Sequence, residues 1–201
     1  MLQSLRAEAR RLGCSKRAMS SFAADVSQKL QCPRGMRDLP PESCARAREV
    51  LDAVRKVASL YRYAEFETPI VESTSLFARS LGDDSDVVTK EMYSFEDRSG
   101  NSITLRPENT AGVMRAVLQH NLHHVLGTPL RLWYAGPMFR YERPQRGRYR
   151  QFTQAGLECV GSSSVHADVE VIAAAYRLLR ELGVQDKVQL QVNTLGDEES
   201  R

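Results

Sequence analysis

The chain has 201 residues, of which 42% are hydrophobic and 26% are charged, proportions that are ordinary for a soluble globular protein. Its length is enough for one domain with a buried core, and no apolar run approaches the roughly 18 to 20 residues that span a membrane. A formal net charge of +3 permits contact with a polyanion but does not require it. Composition therefore gives no support to a membrane-spanning role.

The four cysteines, Cys14, Cys32, Cys44 and Cys159, are isolated from one another. They form no CxxC pair, and no histidine follows at a metal-ligand spacing. We therefore expect no zinc site, no other metal-ligand cluster and no disulfide framework. Isolated thiols of this kind suit a reducing compartment.

Residues 1–31 differ in composition from the rest of the chain. They carry six basic residues and two acidic ones, with several serines and alanines. An amphipathic, arginine-rich and acid-poor leader is typical of an organelle transit peptide, but an ordinary N-terminal extension has a similar composition. The expected compartment is the cytoplasm, or a mitochondrial or plastid matrix if this segment is a transit peptide.

An amphipathic helix is predicted from Pro41 to about Arg62. Apolar residues recur there at spacings of three and four, and Pro41 and Glu42 are typical of a first helical turn. The next segment, 66–71, is predicted to be a short strand that Pro69 interrupts. Because proline lacks the backbone donor of a ladder, this strand should lie at a sheet edge, which a second copy of the protein could cover.

The remaining segments are predicted to be strands in adjacent hairpins, with helices between them. Strands are predicted over 91–96, 102–105, 130–141, 150–160 and 188–193, and helices over 110–120, 165–182 and from 195 onward. Because the strands do not alternate with crossover helices, the predicted fold is α+β, with a mainly antiparallel sheet flanked by helices. A simple dinucleotide-binding fold is excluded, and neither GxGxxG nor GxxxxGK[ST] occurs.

The most informative segment is the predicted hairpin of residues 132–141 and 150–159. Side chains alternate between the two faces of a strand. One face of the second arm therefore carries Phe152, Gln154, Gly156 and Glu158. In the first arm, Tyr134, Gly136, Met138 and Arg140 alternate with Trp133, Ala135 and Phe139. Each arm is expected to bury an apolar side and to offer a polar side as the floor for a small ligand with anionic and cationic parts.

This hairpin contains five arginines in a stretch of eleven residues, namely Arg140, Arg143, Arg146, Arg148 and Arg150. Arginine presents a planar fork that fits phosphate oxygens. The arginines are interleaved with aromatic residues, and Phe152 offers a flat surface for a purine. This arrangement favours a phosphate-binding site, while a solvated basic hairpin is the alternative.

Carboxylates and an amide accompany the arginines. Glu158 and Gln154 share a strand face, and Glu108 lies between a predicted strand and a predicted helix. Such groups around one cavity would bind an ammonium or an imidazole N–H. Glu108 could equally cap the helix that follows it.

These residues resemble the class II aminoacyl-tRNA synthetases, and specifically the histidyl-tRNA synthetase family. The resemblance is carried by PRGMRDLPP from Pro33, FETPIVES from Phe66, LRPENTAGVMRA from Leu105, GPMFRYERPQRGRYRQFTQAGLE from Gly136 and VNTLGDEESR from Val192. It extends from about Pro33 to the last residue. Residues 1–31 are therefore interpreted as an extension, and residues 32–201 as the N-terminal part of a class II catalytic domain with motifs 1 and 2.

The resemblance implies a reaction and a set of site residues. ATP and histidine would form histidyl-adenylate, and the histidyl group would then move to tRNA(His), with Mg²⁺ arriving as the ATP complex. Arg140 would be catalytic, contacting both the α-phosphate and the histidine carboxylate. The ATP-binding residues would be Arg140, Glu142, Arg148, Tyr149 and Phe152. The histidine-binding residues would be Glu108, Thr110, Arg140, Gln154 and Glu158. A homodimer through residues 42–72 is also implied.

The resemblance also defines what the chain does not contain. The family's histidine-specific segment, third motif and anticodon-binding domain would all follow Arg201. The chain is therefore expected to be a fragment or a truncated natural product, with weak or no turnover alone. A non-catalytic relative, such as the synthetase-like regulatory subunit of ATP phosphoribosyltransferase, is the main alternative. A nucleic-acid-binding hairpin without enzymatic activity is a third possibility.

Overall fold

A computed structural model describes residues 31–82 and 85–193. The chain divides into two units, Met1–Arg34 and Gly35–Arg201, and every helix and strand given below belongs to the second. Most of the predicted leader at 1–31 and the helix predicted from Leu195 lie outside the described residues.

In the described part of the second unit, strands come in consecutive pairs, with helices before, between and after the pairs. Its strands are β1 (Ala64–Glu65), β2 (Val71–Ser73), β3 (Tyr93–Glu96), β4 (Ser102–Leu105), β5 (Leu130–Phe139) and β6 (Gln151–Val160). Its α-helices are α1 (Pro41–Leu60), α2 (Thr74–Leu81), α3 (Thr110–Gln119), α4 (Leu122–Val125) and α5 (Val165–Glu181). A π-helical segment at Val87–Glu91 and a 3-10 turn at Gln185–Lys187 complete the described elements.

The strands form two three-stranded sheets, with orders β1-β5-β6 and β2-β4-β3. Strands β5 and β6 pair antiparallel over ten residues each, from Leu130 opposite Val160 to Phe139 opposite Gln151. Strand β1 pairs parallel to β5, and the second sheet is antiparallel throughout. The prediction of a mainly antiparallel α+β fold is confirmed, as is the long hairpin.

Helices cover both faces of the β5–β6 hairpin. On one face, Val54 and Ala58 of α1 pack with Tyr63 and Trp133. On the other, helix α3 contributes Val113 and Val117, which pack with Leu132, Tyr134 and Met138. Burial of apolar side chains on both sides therefore fixes the hairpin between α1 and α3.

This packing corrects the expectation that each arm has one apolar face and one face open to a ligand. Tyr134 and Met138 were expected on the ligand side, but helix α3 covers that part of the face and both residues are buried. Only the part of the face around Gln154, Glu158 and Thr110 remains polar. Parity assigned the side chains to faces, but it could not show which stretch of a face a helix would cover.

The predicted strand at 66–71 is wrong. The chain leaves the first sheet after Glu65 and joins the second at Val71, so Pro69 lies in the connection between two short strands. Each end of this connection is hydrogen-bonded to a different sheet region. Phe66 N donates to Trp133 O of β5 at 2.8 Å, and Ile70 O accepts from Arg106 N, just after β4, at 2.9 Å. Both short strands lie at sheet edges within the described residues, as the proline suggested.

The predicted strand at 188–193 is also wrong, since this segment has no strand partner in the described part of the chain. Its apolar side chains Val188, Leu190 and Val192 are exposed. The alternating pattern is that of a strand, but a strand needs an adjacent ladder to form. None of the helices within 31–82 and 85–193 has the length and apolar content to cross a bilayer.

Candidate active site

The polar end of the hairpin is built from three residues of β6 opposite three of β5. Register places Gln154 opposite Gly136, Gly156 opposite Tyr134, and Glu158 opposite Leu132. Gly156 is required here because a Cβ at this position would overlap the ring and the hydroxyl of Tyr134. The Tyr134 side chain therefore lies across the strand, between Gln154 and Glu158.

Hydrogen bonds join these side chains to the start of helix α3. Thr110 Oγ1 donates to Glu158 Oε1 at 2.8 Å, and Gln154 Nε2 donates to the Tyr134 hydroxyl at 3.4 Å. The Tyr134 hydroxyl also interacts with Thr110 and with Glu158. Burial raises the pKa of Glu158, and the bond from Thr110 opposes that rise. Burial likewise raises the pKa of Tyr134 to about 12, so its hydroxyl keeps its proton at neutral pH.

Gln154 leaves one acceptor without a partner. Its Oε1 atom is buried and accepts no hydrogen bond from any residue that the structure describes. A buried acceptor without a donor costs about 1–3 kcal/mol. Such an atom in a polar site is suited to accept a hydrogen bond from a ligand, because a ligand donor would remove that cost.

Glu108 caps helix α3. Its carboxylate accepts from Thr110 N at 2.5 Å and from Ala111 N at 3.0 Å. The capping alternative for this residue is therefore confirmed. Each carboxylate oxygen has a second lone pair, so capping leaves Glu108 able to accept from a ligand as well.

Arg140 lies at the end of β5, where backbone and ring contacts fix its direction. Its Nε donates to Pro107 O at 2.8 Å, and its guanidinium carbon lies 5.3 Å from the centre of the Phe152 ring. Its Nη1 is 3.9 Å from Glu142 Oε1. The Nε bond holds the fork in place and leaves the terminal nitrogens able to donate to an anion.

The loop after Arg140 contains one buried carboxylate and an exposed arginine. Glu142 is buried and forms an ion pair with Arg148, whose side chain is 55% exposed. The predicted ATP-binding residues Arg140, Glu142 and Arg148 are therefore brought together around one carboxylate. Phe152 packs partly into the core beneath α3, next to Arg140.

Residues 35–37 hold this loop from outside. Arg150 N donates to Gly35 O at 2.7 Å. The Arg37 guanidinium lies 4.2 Å above the ring of Tyr149, and its Nη1 donates to the Tyr149 hydroxyl at 3.2 Å. Tyr149 thus faces Arg37 and lies apart from the contacts that join Arg140, Glu142 and Arg148.

Arg106 is a buried cation that connects the two parts of the site. Its Nε donates to Pro137 O at 3.0 Å, and its Nη1 donates to Thr68 O at 2.9 Å and to Asn109 Oδ1 at 3.2 Å. Its guanidinium lies over Gly136, where any side chain would collide with it. Burial lowers the pKa of Arg106. It links β5, which carries Arg140, to the segment that carries Glu108 and Thr110.

Comparison with known proteins identifies the family. The sequence model described as histidyl-tRNA synthetase matches residues 35–196. The chain belongs to the histidyl-tRNA synthetase family. The histidine–tRNA ligase of Gluconacetobacter diazotrophicus is 55% identical to it over 172 residues, which are 86% of this chain and 41% of that protein. The chain therefore spans about two fifths of the length of the curated relatives it matches.

Solved structures of histidyl-tRNA synthetase relatives share the fold. The apo histidyl-tRNA synthetase of S. aureus aligns with a TM-score of 0.65 at 38% identity, over 77% of this chain and 35% of that one. A Bacillus halodurans protein, described as an ATP phosphoribosyltransferase regulatory subunit/histidyl-tRNA synthetase, aligns with the same TM-score at 30% identity, over 77% of this chain and 38% of that one. The predicted class II synthetase-like fold is confirmed.

Sequence reasoning missed Arg106 and Tyr134 as residues of this site. Arg106 lies within LRPENTAGVMRA, and its position two residues before Glu108 is the signal that could have identified it. Tyr134 was assigned to the correct face, and the glycine opposite it was the available signal. Only the register of β5 against β6 shows that this glycine makes room for the tyrosine ring.

Proposed function

We propose that the protein activates histidine with ATP to histidyl-adenylate and transfers the histidyl group to tRNA(His). Membership of the histidyl-tRNA synthetase family supports this proposal, and the unpartnered Gln154 Oε1 beside Glu158 carries it. A histidine side chain and its ammonium group supply N–H donors at two points. The polar end of the hairpin supplies acceptors at two points.

Histidine would bind over β6. Gln154 and Glu108 would accept from the ammonium group, and Glu158 would accept from the imidazole. Thr110 would hold Glu158 in place through its 2.8 Å hydrogen bond. The raised pKa of Glu158 supports a role as acceptor toward a neutral or charged imidazole, because a buried carboxylate gains most from a donor that enters with the ligand.

ATP would bind over the loop, as its Mg²⁺ complex. Arg140 would contact the α-phosphate and the histidine carboxylate, Arg148 the γ-phosphate, and Glu142 the adenine amino group. Phe152 would stack on the purine, and Tyr149 would border the ATP. A carboxylate oxygen of histidine would attack the α-phosphorus while the bond to the pyrophosphate oxygen breaks. Arg140 would stabilise the negative charge that develops on the α-phosphate.

The protein would act as a homodimer through residues 42–72. Val50, Leu60, Ile70 and Val71 in this range are exposed apolar side chains, which a second copy could cover. Substituting Ile70 by lysine should convert the dimer to a monomer in sedimentation equilibrium. A protein that is already monomeric without the substitution would contradict this part of the proposal.

Histidine-dependent ATP–pyrophosphate exchange by the full-length gene product tests the proposed function. Exchange that requires histidine, and that other amino acids do not support, is the expected result. A folded protein without exchange would overturn the proposal. It would favour the alternative of a non-catalytic regulatory subunit, which is also one of the two functions named for the Bacillus halodurans protein.

A further inference from the structure

We propose that Tyr134 is a positioning residue for histidine, and that its hydroxyl sets the direction of the hydrogen bonds that Gln154 and Glu158 offer to the ligand. The proposal rests on the function proposed above and adds a residue to its histidine site. Tyr134 is 2% exposed, so its hydroxyl acts within the protein and from beneath the ligand.

The direction follows from the chemistry of the three groups. The Tyr134 hydroxyl has one proton and can accept as well as donate. Glu158 is the strongest acceptor beside it, because a bond to a carboxylate is about twice as strong as a bond between neutral groups. Thr110 also lies beside this hydroxyl, but its own proton goes to Glu158. The carboxylate is the stronger acceptor, so the tyrosine proton goes to Glu158 and the tyrosine oxygen is left to accept from its remaining neighbour.

That neighbour is the amide of Gln154. Because the tyrosine oxygen can only accept, the amide must turn its Nε2 toward Tyr134, as the 3.4 Å contact has it. The same turn directs Oε1 away from Tyr134, and Oε1 is the buried atom that lacks a partner among the described residues. Without the hydroxyl, the amide would lose the contact that distinguishes its two ends.

Glu158 is fixed by the same chain of bonds. Tyr134 and Thr110 both direct a hydroxyl toward this carboxylate. Tyr134 and Thr110 thus convert two flexible side chains into two acceptors of fixed direction, one for each nitrogen end of histidine. Histidine binding then costs less conformational entropy, because the acceptors are already held in place before the ligand enters.

Y134F tests the proposal, because it removes only the hydroxyl and keeps the ring. We expect the KM for histidine in ATP–pyrophosphate exchange to rise about tenfold, since one hydrogen bond and the orientation of a second depend on the hydroxyl. The KM for ATP and kcat should stay within about twofold, because Tyr134 lies apart from the arginine loop. A general loss of stability would instead lower the apparent kcat, because less of the enzyme is folded, and would leave both KM values unchanged.

Y63F is the matched control. Tyr63 is also a buried tyrosine of the core, and its hydroxyl also donates to a carboxylate, Glu170, at 3.1 Å. It should lower thermal stability as Y134F does, without a selective change in the KM for histidine. If Y134F and Y63F give the same KM for histidine, the proposal is wrong while the proposed function stands. Absence of exchange in the unaltered protein would instead overturn the function.

A double-mutant cycle with Q154M shows whether Tyr134 acts through Gln154. Adding Y134F to Q154M should raise the KM for histidine by less than threefold, because the amide that Tyr134 orients is already absent and only the interaction with Glu158 remains to be lost. A full tenfold increase on top of Q154M would contradict the proposal. If Y134F does not fold, Q154E tests the same contact, because a carboxylate has no donor for the tyrosine oxygen, and it should raise the KM for histidine selectively. An unchanged KM in Q154E would contradict the proposal equally.

Discussion

The two halves of the candidate site are built differently, although one hairpin carries both. On β6, Gln154 donates to Tyr134 and Glu158 accepts from Thr110, within a partly buried pleated surface. In the loop after β5, Arg140 and Arg148 are half-buried and exposed, respectively, and both pair with the carboxylate of Glu142. The β5–β6 register sets the positions of the side chains in the strand half, whereas ion pairs with Glu142 set those of Arg140 and Arg148 in the loop half.

This difference indicates how each half would select its ligand. Acceptors of fixed direction distinguish ligands by the position of their donors, which suits an amino acid with a small polar side chain. Arginines that already pair with a carboxylate present the same planar fork to phosphate oxygens. The strand half is therefore suited to specificity, and the loop half to binding a triphosphate.

The largest expected effect comes from Arg140, where the two halves meet. R140K keeps the charge but loses the planar fork and the Nε bond to Pro107 O. We expect the rate of histidine-dependent exchange to fall about 100- to 1,000-fold, as for the loss of a donor to a developing charge. R131K is the control, because Arg131 pairs with Glu170 outside the candidate site, and it should stay within about threefold. Equal rates for the two variants would remove Arg140 from the catalytic role.

Arg106 is expected to contribute next, because it joins the two halves. R106M removes donors to Pro137 O, Thr68 O and Asn109 Oδ1, and we expect the free energy of unfolding in denaturant to fall by about 3 kcal/mol. The free energy of unfolding of R106K should lie between those of R106M and the unaltered protein, since an ammonium cannot reach all three acceptors from one position. Unchanged stability in R106M would show that the site does not need this link.

Glu158 should give the smallest effect, and one that depends on pH. Its pKa in the folded protein is raised by burial, so the folded state holds the proton more tightly than the unfolded state. Unfolding free energy should therefore decrease as pH rises from the unfolded value, about 4.3, through the folded value. E158Q removes this loss, and its stability relative to the unaltered protein should increase from pH 4 to pH 7.

E170Q supplies a control of opposite sign. The hydrogen bond from Arg131 lowers the pKa of Glu170, so this carboxylate contributes stability above its unfolded pKa and loses it as pH falls. The stability deficit of E170Q should be largest at pH 7 and should shrink toward pH 4. If both variants follow the same pH trend in denaturant unfolding, burial does not govern the Glu158 pKa.

Much of this arrangement could be predicted from the sequence, and the reasons are local. Period-two alternation placed Gln154, Gly156 and Glu158 on one face, and the spacing of apolar residues predicted α1. The cover of Met138 by α3 could not be predicted, because it depends on contacts between elements far apart in the chain. The separation of 66–71 into two sheets was missed for the same reason. Arg106 was missed because its role consists of bonds to residues 31 to 38 positions away.

One comparison tests most directly the claim that the strand half binds histidine and the loop half binds ATP. Q154M and R148M are measured in the exchange assay with histidine and ATP varied in turn. The account predicts a crossed pattern, in which Q154M raises only the KM for histidine about tenfold and R148M raises only the KM for ATP by a similar factor. Parallel changes in both constants for both variants would contradict the division of the site.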